Sequence, residues 1–524
     1  MIATELLAAA AISLLFGVIL APFVSRLVLA VGVVDKPDGR RKLHGRVVPL
    51  AGGPLVVLTT FLALAIWYVL EDTFADCVGK LGVSVPGFMV AVLFMFGIGV
   101  IDDRFRIRGR VKLVGQIVAI SLAIAAGVRF ESITLCGFDI RFGSSFGCAL
   151  TMIWLLGVVN AVNLLDGIDG MVGGIGLVVA ATLAVMAAWV GHPAEAGVAA
   201  CLAGTLAAFL VFNKPPAKIF LGDSGSMSIG LLLGSLSVVC CLKGPATLML
   251  GPPVTLLLLP LLDTVAAITR RVLTGRSIYM TDRGHLHHRL LQSGLSHKTA
   301  LILVGVLSSI LSLGVLASLR YGHDSLALTA ATVVVAFLVL SRLFGVQELG
   351  LVRNKLLEVF GRFTSARPNG EVVVIRLQGR AEGWETIWQH LANRSEHFGL
   401  HSANVDINAP FFQESYYVKW KNPASQGGED ETIADRWHLE LPLKVAGQTI
   451  GVVRLIGPVG VANLSMVLGR IHEFVGELAA LALKVLVPGI QPAAGYQHTP
   501  ATATVHHSAN QHPARALQPE IVGA

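Results

Sequence analysis

Apolar runs long enough to cross a bilayer recur along the first two thirds of this chain. They constrain its fold more than any other feature. A spanning helix needs about 20 largely apolar residues, because it rises 1.5 Å per residue through a hydrocarbon core roughly 30 Å thick. Such runs fall near residues 4–31, 51–70, 86–101, 111–128, 149–163, 171–191, 196–212, 226–243, 247–269, 299–318 and 325–344. Composition agrees: 54% of residues are hydrophobic and 14% charged, against roughly 45–50% and 25% in soluble globular chains. The first run lacks a basic leader and is longer than a signal-peptide core, so it reads as a span.

The segments between runs alternate in charge. One set carries seventeen basic residues: Lys36, Arg40, Arg41, Lys42, Arg46, Arg104, Arg106, Arg108, Arg110, Lys112, Lys214, Lys218, Arg270, Arg271, Arg276, Arg283 and Arg289. The other carries five: Lys80, Arg129, Arg141, Lys243 and Arg320. The positive-inside rule puts the first set, and the long C-terminal tail, in the cytoplasm. Every unusual polar cluster falls on that same side: VDKPDGRRKLHGRVVPLAGG (34–53), IDDRFRIRGRVKL (101–113), NAVNLLDGIDGMVGG (160–174), NKPPAKIFLGDSGS (213–226) and TDRGHLHHRL (281–290). The six cysteines form no CxxC pair or Cys/His ligand spacing, which argues against a structural zinc site. Cys136 and Cys148 share one loop, where a disulfide is an alternative to free thiols.

The clusters specify a chemistry. Hard carboxylates without thiols suit Mg²⁺, which prefers oxygen ligands and bridges substrate phosphates. Lysines and arginines suit phosphate oxygens. Together they describe phosphoryl transfer, where catalysis is mostly positioning and charge neutralisation. Asp102 and Asp103 end a span and cannot point the same way, so one can hold metal while the other acts as base; a solvated cap balanced by Arg104 and Arg106 is the alternative. Asn160, Asn163 and Asp166 share roughly one face if helical, and Asp169 follows after Gly167. Asp223 stands between glycines just before a new span, where free N–H groups favour an anion or a metal–pyrophosphate group. GDSG also surrounds serine-protease nucleophiles, but no strand pattern accompanies it here. His285, His287 and His288 could bind zinc, yet the absence of thiols and the flanking Arg283 and Arg289 favour phosphate contact. Asp263, inside a span, is expected to pair with Arg270 or Arg271 or to cap a helix.

With paired Asp, NxxDGxDG, GDSGS and HxHH in this order, the first 345 residues or so resemble the polyprenyl-phosphate N-acetylhexosamine-1-phosphate transferases. The resemblance implies an inner-face active site, a UDP-sugar donor, a polyprenyl phosphate acceptor in membrane lipid, and Mg²⁺, with Mn²⁺ as its alternate. It implies Asp223 as metal ligand and Asp102 or Asp103 as base, with Asp102 preferred. Asn163, Asp166 and Asp169 match the family's loop, with Asp169 near the uridine, and Phe220 matches an aromatic that stacks on uracil. Lys36, Arg41, Lys42 and His44 match the basic loop near the phosphates; Lys112 and Gln116 match another family position, and Arg289 joins the substrate contacts. DRGHLHHRLLQSGLS resembles the branch using UDP-GlcNAc to start cell-surface polysaccharides, with another UDP-N-acetylhexosamine or UDP-MurNAc-pentapeptide as the alternative. A homodimer is compatible with this reading, and nothing points to nucleic acid. Two rivals fit less well. A transporter or flippase would place its charges near the midplane with internal repeats, and a CDP-alcohol phosphatidyltransferase would need an arginine that DGIDGMVGGIG lacks.

Beyond the last apolar run the pattern changes. EVVVIRLQG and WHLELPLKVAGQTIGVVRLIGP read as strands, the second as a hairpin, and GWETIWQHLANRSEHFG and LSMVLGRIHEFVGELAALALKVL read as helices. The expected organisation is a membrane domain over 1–345, a linker over 346–369 and a small cytoplasmic α+β domain over 370–487 with an unknown partner. A tail over 488–524, rich in Ala, Pro, Gln and His, is expected to be disordered. The fold class is thus an all-α polytopic membrane protein of about eleven transmembrane helices with a small C-terminal α+β domain.

Overall fold

The fold is seen in a computed structural model. It describes residues 3–35, 47–79, 82–135, 138–241, 251–273, 284–345, 348–350, 352–353, 373–378, 387, 389–395, 398, 400–409, 414–422, 436–445, 448–458, 471, 473–479, 481–482 and 504–506. The chain divides into two compact units, Met1–Leu349 and Gly350–Ala524.

The first unit is a helical membrane bundle. Each apolar run is helical: α1 (Ala3–Val31), α2 (Gly52–Leu70), α4 (Val85–Phe105), α5 (Gly109–Ala125), α6 (Ser144–Leu165), α7 (Met171–Val190), α8 (Pro193–Asn213), α9 (Gly222–Cys241), α10 (Gly251–Leu256) with α11 (Leu258–Leu273), α13 (His297–Tyr321) and α14 (Ser325–Leu340). Among the described residues, eight of these helices are long and apolar enough to cross a membrane. The run expected at 247–269 is broken between α10 and α11. Pro260 explains the break, since it has no N–H for the carbonyl of Leu256 and its ring clashes there. Short elements fill the connections: α3 (Asp72–Val78), α12 (Leu286–Gln292), a strand pair β1 (Val34–Asp35) and β2 (Val48–Pro49), and a hairpin of β3 (Ser132–Leu135) and β4 (Phe138–Arg141). Cys148, in α6, is a free thiol; Cys136 lies outside the described residues.

α9 is buried along nearly its whole length and packs against α2, α4, α6 and α7. Small residues bring the neighbours this close, as expected where apolar lipid gives helices no hydrophobic reason to associate. A Cβ on Gly230 would lie 2.7 Å from the Cα of Val159, and one on Gly99 would strike the backbone of Ser224. The N-terminus of this central helix therefore opens at one end of the bundle, amid the polar clusters.

The second unit holds a sheet of β5 (Val373–Gln378), β6 (Ser402–Ala409), β7 (Glu414–Lys421), β8 (Arg436–Val445), β9 (Gln448–Pro458) and β10 (Thr504–His506). The spatial order is β10-β8-β9-β6-β7-β5, with antiparallel neighbours throughout. β8 and β9 form the hairpin expected around AGQT, with Val445 opposite Gln448. Val405, Ile407, Trp437, Leu439 and Leu455 pack with Leu391, Phe474 and Leu478 from two helical segments into one core. The tail is not structureless throughout. Thr504–His506 pairs with β8, because an edge strand presents unpaired backbone groups that a Thr-Val-His stretch can satisfy. The rest of the tail lies outside the described residues.

Candidate active site

The two adjacent aspartates diverge, as adjacent residues on a helix must. Asp103 turns to the start of α9 and accepts hydrogen bonds from the backbone N–H groups of Asp223 (2.7 Å) and Ser224 (3.1 Å). It caps α9 from another helix, a negative charge at the positive end of the macrodipole. Gly222 makes this approach geometrically feasible: its φ is +72°, and a Cβ there would sit 2.8 Å from the Asp103 carboxylate.

Asp102 turns the other way. Its Oδ1 accepts the N–H of Ile107 just past the helix end (2.9 Å), and its Oδ2 pairs with Lys112 Nζ at 2.9 Å. The same ammonium lies 2.7 Å from Asp223 Oδ2. Asn163 Nδ2 donates to the other Asp223 oxygen and to Ser226 Oγ (2.8 Å). One turn deeper, Asn160 Nδ2 donates to Gln116 Oε1 (3.1 Å), tying α6 to α5. Asn160 and Asn163 thus share the face expected of them, while Asp166 lies just past the end of α6.

Asp102, Asp103, Asn163 and Asp223 line a cavity of about 690 Å³, together with Val34, Asp35, Arg106, Asp166, Gly167, Asp169, Asn213, Phe220 and His297. Asp169 Oδ2 accepts the N–H of Ala217 (2.9 Å) and so shapes the stretch before Phe220. Asp166 is open to the cavity yet surrounded by protein. Its carboxyl is pushed up to about 8, first by desolvation and then by the charges of Asp223, Asp103 and Asp169. Cavity water screens part of that penalty. Phe220 is fixed by its backbone, donating to Pro49 O (3.0 Å) and accepting from Gly52 (2.9 Å). Lys36, Arg41, Lys42 and His44 lie outside the described residues; β1 and β2, which flank them in sequence, pair with each other, and Val34 and Asp35 of β1 line the cavity.

The histidines take a different position. They are absent from the cavity lining and stand behind Gly167, on which His287 Nε2 is pressed so closely that a Cβ would have no room. His285 and His287 stack in parallel with ring centroids 5.8 Å apart, and His288 lies 4.2 Å from His287. Burial drives the His287 imidazole down to about 3, with His288 and His285 adding to the effect and Asp263 opposing it. His287 is therefore neutral at pH 7. Asp263 has neither of its expected arginine partners in these contacts: its Oδ1 accepts the N–H of Leu286 (2.8 Å) and its Oδ2 meets His285 Nδ1 (3.1 Å), so it caps α12. Arg289, expected among the substrate contacts, is also absent from the lining; it meets Glu348 at 2.6 Å.

Among the described residues, no cluster of three or more Asp, Glu, His or Cys side chains is arranged to hold a metal alone. The oxygen-only carboxylate of Asp223 nonetheless suits Mg²⁺, which commonly takes one or two carboxylates and completes its shell with water and substrate phosphate.

The sequence profile of glycosyl transferase family 4 matches residues 85–241, a stretch that carries all of these aspartates except Asp263 and Asp35. The decaprenyl-phosphate N-acetylglucosaminephosphotransferase of Mycolicibacterium smegmatis is 30% identical over 339 residues, covering 60% of this chain and 82% of that protein. The chain belongs to glycosyl transferase family 4, the polyprenyl-phosphate N-acetylhexosamine-1-phosphate transferases. A probable undecaprenyl-phosphate N-acetylglucosaminyl 1-phosphate transferase of Bacillus subtilis is 28% identical over 303 residues, covering 58% of this chain and 82% of the relative. In this family 4 chain, sequence reasoning missed His297, Arg106 and Asn213 as cavity residues. Asn213 locks the loop by accepting from Gly170 N–H and donating to Ile219 O, both at 2.8 Å. His297 had a legible signal: it follows Ser296, whose Oγ accepts the N–H of Thr299 and caps α13 at the polar end.

Proposed function

We propose that the protein transfers N-acetylglucosamine-1-phosphate from UDP-GlcNAc to polyprenyl phosphate and releases UMP. The reaction is the first membrane step of a cell-surface polysaccharide. One observation carries the reading: Lys112 is clasped between Asp102 and Asp223, two of the carboxylates that line a cavity at the bundle's polar end. The relatives' names supply the sugar and the lipid class. The basic-residue bias supports a cytoplasmic site in a bacterial inner membrane, with the C-terminal unit on the same side.

An oxygen of the lipid phosphate attacks the β-phosphorus of the donor. A new P–O bond forms, the bond to the bridging oxygen breaks, and UMP leaves with that oxygen. The lipid phosphate is already anionic, so no protein nucleophile is needed. Asp102 takes any proton the attacking phosphate still carries. Lys112, Arg106 and the basic loop of Lys36, Arg41, Lys42 and His44 offset the negative charge of the transferring group. Phe220 and Asp169 face the nucleotide end, and Asn163 keeps Asp223 oriented. Asp223 would hold Mg²⁺, which supplies further neutralisation of the pyrophosphate when bound.

Purified protein with Mg²⁺ and polyprenyl phosphate, offered a panel of UDP-sugars, should release UMP from UDP-GlcNAc. Release from UDP-MurNAc-pentapeptide alone, or from no UDP-sugar, overturns the assignment.

A further inference from the structure

Where α14 ends, the chain doubles back. Arg342 (φ +57°) and Gly345 (φ +89°) take left-handed backbone. Phe344 between them is 5% exposed, and its N–H donates to Leu338 O at 3.0 Å. The ring of Phe344 lies under the guanidinium of Arg289, 5.3 Å away. Four residues on, Glu348 is 7% exposed and one of its oxygens, Oε1, accepts from both Arg270 Nη1 and Arg289 Nη2. Arg270 comes from the last turn of α11 and Arg289 from α12. Arg289 Nε also donates to Gly284 O (3.0 Å), and a Cβ on Gly284 would lie 2.7 Å from the Arg270 guanidinium. Three separate segments therefore meet at one buried carboxylate.

The helix they hold is α12, seven residues long and bearing His287 and His288. So short a helix has no stability of its own. Its placement against Gly167 comes from its anchors. Asp263 holds its first N–H. We propose that Glu348 is a second anchor, a positioning residue that fixes the histidine segment against the wall of the active-site cavity. Without its charge, Arg270 and Arg289 lose the buried carboxylate that they share, which draws their segments together. The relief open to the chain is for α12 to lift and for Arg289 to reach solvent, which uncovers His287 and loosens Gly167.

The test compares wild type, Glu348→Gln and Glu348→Asp in the full-length protein. Glutamine keeps the shape of the side chain and removes the charge. Histidine modification by diethyl pyrocarbonate is followed by mass spectrometry on the peptide carrying His285, His287 and His288, with exposed His323 as the internal reference. The expected result is that Glu348→Gln labels the histidine peptide at least about fivefold faster while His323 labels as before, the mark of local opening. In UMP release, kcat should fall about tenfold with KM for UDP-GlcNAc moving less than about threefold, as misplacement of a wall does. Glu348→Asp should recover most of both. Unchanged labelling in Glu348→Gln overturns the proposal, even if turnover falls. Faster labelling of His323 as well overturns it too, because the effect is then general loosening. The turnover arm rests on the proposed transferase reaction. If wild type releases no UMP, that reading fails while the labelling arm still decides the role of Glu348.

Discussion

The aspartate cavity and the histidine segment share a wall at Gly167 and are built on opposite rules. Around the cavity, Asp102, Asp103, Asp166, Asp169 and Asp223 crowd together with Lys112 and Arg106, and Asp166 is pushed up to about 8 by desolvation first and by the neighbouring carboxylates second. Behind the wall, His285 and His287 are buried, the segment is tied to Asp263, and His287 is driven down to about 3. The first region holds excess negative charge that an arriving cation would relieve. The second resists charge and serves as a support. The structure separates a group that lines the cavity from a group that packs behind its wall.

The largest effect that could break this comparison is at Asp223. Asp223→Asn should lower UMP release by at least about 100-fold, the scale for loss of a preorganised charge in a reaction centre. Near-normal turnover would remove Asp223 from the chemistry. Next comes the shared wall. Gly167→Ala drives a Cβ into the His287 ring, so it should destabilise the protein by about 1–3 kcal/mol and reduce turnover. Adding His287→Ala should relieve most of that loss of stability. A double-mutant cycle in thermal melting checks it, and simple additivity would show that the two sites are not in contact.

The pH dependence of stability sharpens the contrast, because the two regions carry opposite signs. An Asp166 carboxyl raised from 3.8 to about 8 stays protonated in the folded protein where the unfolded chain has ionised. Its stabilising contribution is full below pH 4 and is lost as pH rises to about 8. Asp166→Asn should therefore melt with wild type at pH 4 and above it at pH 8, by ~2 °C or more. A His287 imidazole lowered from 6.5 to about 3 does the reverse. The unfolded chain takes up a proton that the folded one refuses, so stability falls as pH drops below 6.5. His287→Gln should blunt that acid-side loss. The smallest effect is at the cavity rim: exposed His297→Ala should raise KM for UDP-GlcNAc a few-fold, on the order of 1 kcal/mol, without altering the melting temperature.

Much of the bundle could be read directly. Each of the eleven apolar runs is helical over its described residues, apart from frayed ends and the break between α10 and α11, because lipid allows few alternatives to a helix that satisfies its own backbone. Four of the five polar clusters meet at one cavity, while the histidine cluster packs behind its wall. The second unit was half legible. The β8–β9 hairpin showed in its alternation, whereas β6 and β7 were missed, although VDIN and YYVKWK alternate too. The break at Pro260 was legible in principle and was lost inside a hydrophobicity average.

What the sequence determined by itself was the class of molecule, the end of the bundle that bears the chemistry and the set of residue types gathered there. These follow from local quantities: run length, charge bias and spacing. The partner of each side chain was decided only by the tertiary structure. Asp103 became a helix cap, Asp169 a loop brace, Asp263 the anchor of α12, and Arg289 the partner of Glu348. A carboxylate carries the same charge wherever it stands. Whether it meets a ligand or a backbone N–H depends on which distant helix ends beside it, and glycines at 99, 167, 222 and 230 set how near those segments can come.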